Sequence, residues 1–267
     1  MITAYTLFSG SGGNCIYVKD GKTEILIDAG KSALSVEKSL ASVGTSTENI
    51  SAIFVTHEHS DHISALEIIS KKYSVPIHIT SPSLDFILRS SKYIQKNAVE
   101  HCVKYEQNAG SLHLSSFVIP HDSVQNVGYR ITSDDGDTLG IATDMGHVTD
   151  EIKESLFGCR NVIVESNHDK DMLIYGKYPD FLKSRILSEN GHLSNEDCSS
   201  LVCTLADKGT INFTLAHLSR ENNTPEAAFF TSRNALDKCG FKNVYLGVAS
   251  PCCAVIATAP AAYDKVI

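Results

Sequence analysis

The sequence lacks any apolar run close to the roughly 20 residues that an α-helix needs to cross a bilayer. Its N-terminus also lacks a basic segment followed by an apolar stretch, which is the pattern of a secretory signal. These absences argue against a membrane-spanning or secreted protein. We therefore expect a cytoplasmic location and no membrane partner.

A Cys-x-x-Cys pair is also absent, so the sequence gives no sign of a thiol redox motif or a structural zinc site. In a reducing compartment, cysteines within apolar segments behave as small buried hydrophobic side chains. We expect free and mostly buried thiols rather than disulfides. The eight cysteines are Cys15, Cys102, Cys159, Cys198, Cys203, Cys239, Cys252 and Cys253.

Positive charge is in short supply: 23 Lys and Arg stand against 31 Asp and Glu, for a net charge of −8 and a pI near 5.7. This balance argues against a protein that grips nucleic acid through a broad basic face. It does not exclude a nucleic-acid enzyme, because a centre of two metal ions supplies intense local positive charge.

The composition is that of a globular protein, with 42% hydrophobic and 20% charged residues. Hydrophobic patterns and turn residues predict strands at 2–8, 14–19, 24–27, 51–55, 77–80, 112–119, 126–131, 139–142, 161–165, 211–216 and 244–246. Helical patterns occur at 32–43, 64–72, 82–89, 178–187, 194–206 and 225–238. Blocks of strands and helices repeated in two halves predict an α/β (α+β) fold. We expect two mixed sheets packed together with helices outside, a four-layer αβ/βα sandwich in one domain over residues 1–267.

The segment Thr56-His57-Glu58-His59-Ser60-Asp61-His62 is unusually rich in metal ligands. It follows a short apolar strand at 51–55, so the ligands begin where a buried strand ends. In an extended segment, His57 and His59 point the same way and can bind one ion. Asp61 and His62 follow on a tightening turn and can reach a second ion. Two adjacent ions need about six to eight donors, so further ligands should lie at other strand ends.

Three further residues of ligand type follow apolar strands in the same way. His121 follows 116–120, Asp144 follows 139–143 and His217 follows 211–216. Singly, each could be a polar residue satisfied at a strand end. Together with the His57 segment, they predict a metal centre with two ions.

These residues resemble the metallo-β-lactamase superfamily of hydrolases, whose central motif matches His57-x-His59-x-Asp61-His62. The order Asp28, His121, Asp144 and His217 matches as well. Further motifs narrow the resemblance to the YycJ branch, also called VicX or WalJ, which is close to the phosphodiesterases PhnP and RNase Z. Those motifs are 9–15 (SGSGGNC), 165–169 (ESNHD), 191–195 (GHLSN) and 217–223 (HLSRENN).

The resemblance implies that His57, His59 and His121 hold one metal ion. Asp61, His62 and His217 would hold the other, with Asp144 bridging the two. Asp28 would fix the ligand loop by hydrogen bonds. The metals would be Zn²⁺ or Mn²⁺, with iron a further option, because imidazoles and carboxylates suit all three.

His192 is the candidate general acid, since a phosphodiester leaving group needs a proton and imidazole can donate one near neutral pH. Glu165 would orient His192, and Asp61 would orient the attacking water. A helix-start histidine facing water is the alternative for His192. The candidate substrate-binding residues are Ser11, Asn14, His168, Ser194, Arg220 and Asn222.

The resemblance implies a metal-dependent phosphodiesterase acting on DNA, as a 5′-to-3′ exonuclease on duplex ends. A hydrolase of small or cyclic phosphodiesters is the alternative within the same chemistry. A regulator that binds metal and a two-component signalling partner without turnover is the alternative of another class. The sequence gives no prediction of the oligomeric state.

Overall fold

A computed structural model describes residues 1–21, 23–91 and 93–258. The strands in this part of the chain are β1 (Thr3–Phe8), β2 (Cys15–Asp20), β3 (Thr23–Ile27), β4 (Ala52–Phe54), β5 (Ile77–Thr80), β6 (Ala98–His101), β7 (Glu106–Ala109), β8 (Leu112–Val118), β9 (Val127–Ser133), β10 (Thr138–Ala142), β11 (Asn161–Glu165), β12 (Asn212–Ala216), β13 (Tyr245–Val248) and β14 (Val255–Ile256).

The α-helices of the described residues are α1 (Ala33–Ser42), α2 (Ser60–Ile63), α3 (Leu66–Tyr73), α4 (Ser81–Leu88), α5 (Asp150–Leu156), α6 (Lys170–Tyr175), α7 (Asp180–Ile186), α8 (Asn195–Asp207) and α9 (Pro225–Lys238). Short 3-10 turns occur at Thr47–Asn49 and Ile94–Lys96. Within these described segments, every helix is too short or too polar to span a bilayer.

Two seven-stranded sheets carry the fold. The first has the order β14-β1-β2-β3-β4-β5-β6 and the second β13-β12-β11-β10-β9-β8-β7. Strands β3 to β6 run parallel, as do β10 to β13. The carboxyl ends of parallel strands meet at one edge of a sheet, where ligands usually bind. Residues that follow β3, β4, β10, β11 and β12 are therefore brought to such an edge.

Three apolar clusters define four layers. One lies between the sheets and includes Phe54 and Tyr129, one from each sheet. A second packs α1, α3 and α4 against the outer face of the first sheet, and a third packs α5, α8 and α9 against the second sheet. The predicted sandwich of two mixed sheets with outer helices is confirmed.

Most predicted elements are present with ends shifted by one or two residues. The strands 77–80 and 161–165 and the helix 225–238 match at both ends. Ser32 and Ser194 cap α1 and α8 through their side chains, as expected of residues at helix starts. Six short elements were missed: α2, α5, α6, β6, β7 and β14. The prediction of one domain over 1–267 stays a prediction, and residues 259–267 lie outside the described part.

The expectation that most cysteines are buried is wrong. Cys15, Cys159 and Cys198 are buried, Cys203 is half-buried, and the other four are exposed. Apolar neighbours in the sequence did not ensure burial, because the exposed thiols lie in loops or at a helix end. All eight thiols are free, as expected.

A column of stacked rings joins the edge of the first sheet to the core. His78 stacks on Phe54 and on His101, with ring centroids 4.4 Å and 5.1 Å apart, and His101 stacks on Tyr105. Burial, followed by the nearby His101, lowers the pKa of His78 to about 4. His78 is therefore neutral in the folded protein at pH 5, whereas the unfolded chain protonates it.

This difference predicts a loss of stability in acid. Between about pH 6.5 and pH 4 the unfolded state binds the extra proton, so the free energy of unfolding falls as the pH falls. A His78→Phe variant keeps a stacking ring but cannot titrate, and we expect a shallower pH dependence over this range. Urea unfolding at several pH values measures it, with His113→Phe, a change at an exposed histidine, as the control. Equal slopes in both variants would contradict the assignment.

Candidate metal centre

Three strand ends turn through a backbone conformation that residues other than glycine rarely adopt. Asp28, Asp144 and His217 have φ angles of 61°, 57° and 56°, in the left-handed region. They directly or closely follow β3, β10 and β12. Strain of this kind, about 1–3 kcal/mol per residue, persists only where the surroundings hold it and is concentrated at functional sites. The backbone thus marks this edge of the two sheets as a site.

The structure brings all seven predicted ligands together at that edge. His57, His59 and His121 form one group of donor atoms that lie within 4.8 Å of one another, and Asp61, His62 and His217 form another. A third group, of His57, His62 and Asp144, joins the two. This is the arrangement that the resemblance implied, with Asp144 between two trios.

The spacing around Asp144 is that of ligands around an ion. The Nε2 atoms of His62 and His217 lie 3.3 Å and 3.4 Å from its carboxylate oxygens, and that of His121 lies 3.8 Å away. Two donors bound at about 2.0–2.1 Å to one tetrahedral ion are separated by about 3.3 Å. Asp144 Oδ2 has no hydrogen-bond partner among the described residues, although it lies near His62.

Buried donor atoms without partners further support a metal centre. Within the described part of the chain, Nε2 of His57 and Nε2 of His217 have no hydrogen-bond partner, and the same is true of Asp144 Oδ2. A buried polar group without a hydrogen-bond partner lowers the free energy of unfolding by about 1–3 kcal/mol. Three such groups at one point would destabilise the fold by the sum of these costs. A divalent metal ion bound by these atoms removes that cost, so the residues fit divalent metal binding.

The second ring nitrogen of each of four histidines is held by the protein. His57 Nδ1 lies 3.0 Å from Thr56 Oγ1, and His121 Nδ1 lies 3.1 Å from the Gly191 carbonyl oxygen. His62 and His217 bond carboxylates through Nδ1 at 2.7 Å and 2.8 Å. Such partners fix the ring and direct Nε2 to the metal, as is usual for metal-bound histidine.

Asp28 is one of those partners and joins two strand ends. Its Oδ1 accepts from the Thr56 backbone N–H at 2.8 Å, and its Oδ2 is 2.8 Å from the Thr56 hydroxyl and 2.7 Å from His62 Nδ1. The side chain is buried. Asp28 therefore fixes both the start of the ligand loop and one ring within it, in the role that was predicted from the resemblance.

Glu165 is the matching partner in the second sheet. Its Oε1 is 2.8 Å from Nδ1 of both His192 and His217, and its Oε2 accepts from the backbone N–H of Met145 and Leu193 at 2.6 Å and 3.2 Å. Burial raises the pKa of Glu165, but its contacts with His192 and His217 outweigh this and hold it at about 2. A buried anion thus orients both rings.

For Asp144 and His192 as well, burial and neighbouring charges shift the pKa in opposite directions. Burial raises the pKa of Asp144, but His217 and His62 outweigh it, so the pKa lies well below the ordinary value and Asp144 remains a carboxylate. Burial lowers the pKa of His192, but the charge of Glu165 and its hydrogen bond outweigh this and the pKa is raised. His192 is therefore favoured as a proton donor.

A cleft opens beside these side chains. Its walls bring together both halves of the chain, and its lining includes His192 and His217. Of the six predicted substrate-binding residues, Ser11 lines it and Arg220, which is exposed, adjoins Ser219 of its wall. The other lining residues are Asp122, Asn167, Tyr178, Leu182, Arg185, Ile186, Gly191 and Ser219.

The remaining four predicted substrate-binding side chains are buried. The Ser194 hydroxyl caps α8 and bonds Asp197 Oδ2 at 2.6 Å, and His168 and Asn222 are each 1% exposed. Asn14 Nδ2 lies 3.3 Å from Asp61 Oδ2 and 2.9 Å from His62 Nε2. These positions do not support direct contact with the substrate. Asn14 contacts two of the predicted metal ligands, and Ser194 caps the start of a helix.

Sequence reasoning assigned no position to two residues near the ligands, Glu58 and Lys31. Glu58, inside the ligand segment, points elsewhere and accepts from Ser83 Oγ and the Val124 N–H. Lys31 lies beside the glycine loop: its Nζ is 3.3 Å from the position that a Cβ on Gly12 would occupy. The alternation of residues along an extended segment could have indicated that Glu58 faces away from His57 and His59. Lys31 carried no comparable signal.

Comparison with known proteins places the chain in a family. The family model of the beta-lactamase superfamily domain matches residues 23–213. The chain therefore belongs to this superfamily of metal-dependent hydrolases. It is 35% identical to the exodeoxyribonuclease WalJ of Streptococcus pneumoniae serotype 2 over 235 residues, 86% of each chain. It is 34% identical to the exodeoxyribonuclease YycJ of Bacillus anthracis over 238 residues, covering 88% of this chain and 89% of the other.

A solved structure agrees on the fold. Human tRNase Z, short form, superposes with a TM-score of 0.67 at 16% identity, covering 97% of this chain and all of the other. At this identity the likeness shows the fold alone. The predicted resemblance to the WalJ and YycJ branch and to RNase Z is confirmed.

The Asp28 contacts predict that metal affinity depends on a residue that does not bind the metal. An Asp28→Asn variant keeps a residue that tolerates the left-handed turn but presents an uncharged amide to His62. We expect metal affinity to fall by about 10- to 100-fold, as is usual for such partners. Competition with a chelator followed by elemental analysis measures this. Asp134→Asn, at an exposed turn, is the control, and equal affinity in both variants would contradict the role of Asp28.

Proposed function

We propose that this protein is a metal-dependent nuclease that hydrolyses phosphodiester bonds in DNA. The observation that carries the proposal is one arrangement. Two trios of ligand-type side chains lie close together with Asp144 near members of both, and His192, which is hydrogen-bonded to Glu165, lines the cleft beside them. The relatives named exodeoxyribonuclease, which cover most of the chain, support DNA as the substrate. The 5′-to-3′ direction and the preference for duplex ends follow the resemblance to the YycJ branch.

Two divalent ions, Zn²⁺ or Mn²⁺ and alternatively iron, suit the seven ligands. His57, His59 and His121 would hold one and Asp61, His62 and His217 the other, with Asp144 between them. Bound there, the ions supply a water of lowered pKa and positive charge to offset that of the phosphate. The mixture of imidazoles and carboxylates suits all of these metals.

His192 would donate the proton that the departing alkoxide needs. It lines the cleft, whereas its Nδ1 is engaged by Glu165, which leaves Nε2 for the substrate. The charge of Glu165 raises the pKa of His192, so the protonated ring is available near neutral pH. Glu165 thus acts as a positioning residue.

Asp61 would orient the attacking water from the opposite side. Its carboxylate Oδ2 lies 3.7 Å from His62 Nε2 and 3.9 Å from His217 Nε2, and the Asn14 amide contacts the same oxygen. Burial raises the pKa of Asp61, but the nearby His217 and His62 rings outweigh this, so the pKa is lowered. An ionised Asp61 can accept a hydrogen bond from water.

The substrate phosphates would be held at the rim by Ser11 and Arg220, together with Lys31. A Cβ on Gly12 would overlap Arg220 Nη2 and would lie 3.3 Å from Lys31 Nζ. Two cations therefore lie against the bare backbone of the glycine loop, beside the cleft. Arginine and lysine in such a setting bind phosphate by charge-assisted hydrogen bonds.

A His192→Ala variant tests the general acid. We expect kcat to fall by about 100- to 10,000-fold, the usual contribution of general acid catalysis, with bound metal unchanged. The parent protein needs protonated His192, so its kcat should fall as the pH rises through the raised pKa, and the variant should lose this alkaline decline. Elemental analysis and pH–rate profiles measure both. Loss of metal in the variant, or an unchanged alkaline decline, would contradict the role.

The reaction is tested with end-labelled duplex and single-stranded DNA in the presence of Zn²⁺ or Mn²⁺. We expect stepwise shortening from the 5′ end of the duplex, abolished by a chelator and restored by metal. Hydrolysis of small or cyclic phosphodiesters without DNA cleavage would favour the alternative substrate class. Metal binding with no turnover of any phosphodiester would favour a regulatory partner of a two-component system.

A cytoplasmic location accords with the free thiols. All eight cysteines are unpaired, and the neighbouring Cys252 and Cys253 keep their sulfurs 3.7 Å apart without a disulfide. Free thiols of this kind persist in a reducing compartment. We therefore place the nuclease in the cytoplasm, where DNA is its substrate.

A further inference from the structure

A segment that contributes to the cleft wall also presents two aromatic rings to solvent. In the segment 174–187, which spans the end of α6, all of α7 and Leu187, Tyr175 is 85% exposed and Phe181 is 75% exposed. No other large hydrophobic side chain of the described residues is as exposed as these two. Ile174 and Leu187 are also exposed. A cluster of exposed apolar side chains in one short segment marks an interaction surface.

The same segment contributes lining residues to the cleft beside the predicted metal ligands. Tyr178, Leu182 and Arg185 line the cleft together with His192 and His217. Phe181 lies four residues before Arg185 on α7, so the two are neighbours on one helix face. The Phe181 ring therefore adjoins the cleft where a strand would be cut, and Tyr175 precedes it in the same segment.

The segment is held in place, so the rings are exposed by the fold and not by a loose loop. Asp169 caps α6 by accepting from the Met172 N–H at 2.9 Å, and Leu173 is buried. Lys183 Nζ donates to the Ile174 carbonyl at 2.7 Å and so joins α7 to α6. Arg185 pairs with Asp122 across the cleft. A rigid aromatic surface loses little conformational entropy when a ligand stacks on it.

The charge of this wall suits a nucleic acid. Within residues 174–187 the basic side chains are Lys177, Lys183 and Arg185, against one acidic side chain, Asp180. Arg185 pairs with Asp122, so among the described residues Lys177 and Lys183 supply the unpaired positive charge of the segment. The chain as a whole carries −8, so a short segment with more basic than acidic side chains differs from the average composition of the chain. Proteins that bind single strands combine such positive charge with aromatic rings on which successive bases stack.

We propose that Tyr175 and Phe181 form a stacking surface for unpaired bases of the DNA strand whose end enters the cleft. This deepens the proposed nuclease function and rests on it. Stacking needs no particular base, because every base has a π face, so the surface would hold any sequence. It would also stabilise the separated end of a duplex, which must open for one strand to reach the metal centre.

Single and double alanine variants of Tyr175 and Phe181 test the surface. We expect the Kd for single-stranded DNA, and the KM on duplex with an unpaired 5′ overhang, to rise by about 5- to 100-fold per ring, the effect of losing one stacked base. Hydrolysis of bis(p-nitrophenyl) phosphate should be unchanged, because that small diester does not reach the surface. Phe230→Ala, which removes an exposed ring on α9, is the matched control.

Two further variants separate stacking from a plain apolar contact. Phe181→Trp should preserve DNA binding, whereas Phe181→Leu, which is apolar but not aromatic, should weaken it as much as alanine does. The fluorescence of a 2-aminopurine base in the overhang should be quenched when the parent protein binds. The Tyr175→Ala variant should quench this fluorescence less. Sedimentation analysis follows the oligomeric state of every variant.

Several outcomes would overturn the stacking surface while leaving the nuclease intact. One is DNA cleavage and binding that are the same in parent and double variant. Another is a parent that self-associates through this surface, so that alanine variants become monomers with unchanged DNA affinity per subunit. If instead the parent cleaves no DNA but hydrolyses the small diester, the proposed DNA substrate fails and the stacking surface fails with it.

Discussion

The buried carboxylate of Asp144 is the constraint around which the site is built. It lies between two trios of ligands with three imidazole nitrogens within 3.3–3.8 Å, and one of its oxygens has no hydrogen-bond partner among the described residues. A buried anion in this state is costly unless cations compensate it. A divalent metal ion bound at this point would stabilise the carboxylate and the clustered rings together, which would couple metal binding to the packing of this edge of the fold.

Two further buried carboxylates connect the residues around Asp144 to the two sheets. Asp28 at the end of β3 fixes His62, and Glu165 at the end of β11 fixes His217 and His192. Each sheet thus contributes one anion that orients a metal ligand. Glu165 differs in that its Oε1 contacts both His217, a predicted metal ligand, and His192, the proposed proton donor, so one buried charge orients both rings.

That the seven candidate ligands lie close together could be predicted from the sequence, because several of them follow recognisable strands. His57 follows β4, Asp144 β10 and His217 β12, and parallel strands bring their carboxyl ends together. Contacts that depend on side-chain direction could not be predicted. The sequence placed Ser194 and Asn222 at the substrate, whereas the fold buries both. Short elements such as α6 were missed because a few residues carry too little periodicity.

The sequence by itself determined the fold class, the positions of the long strands and the chemistry of the seven ligands. Those features depend on local patterns: alternation of apolar residues, turn residues and a dense run of imidazoles. Only the tertiary structure decided that Glu165 contacts His217 as well as His192, that Lys31 lies beside Arg220, and that Tyr175 and Phe181 are exposed. These facts depend on how segments far apart in the chain pack together, and burial and contact across such distances leave no periodic trace in the sequence.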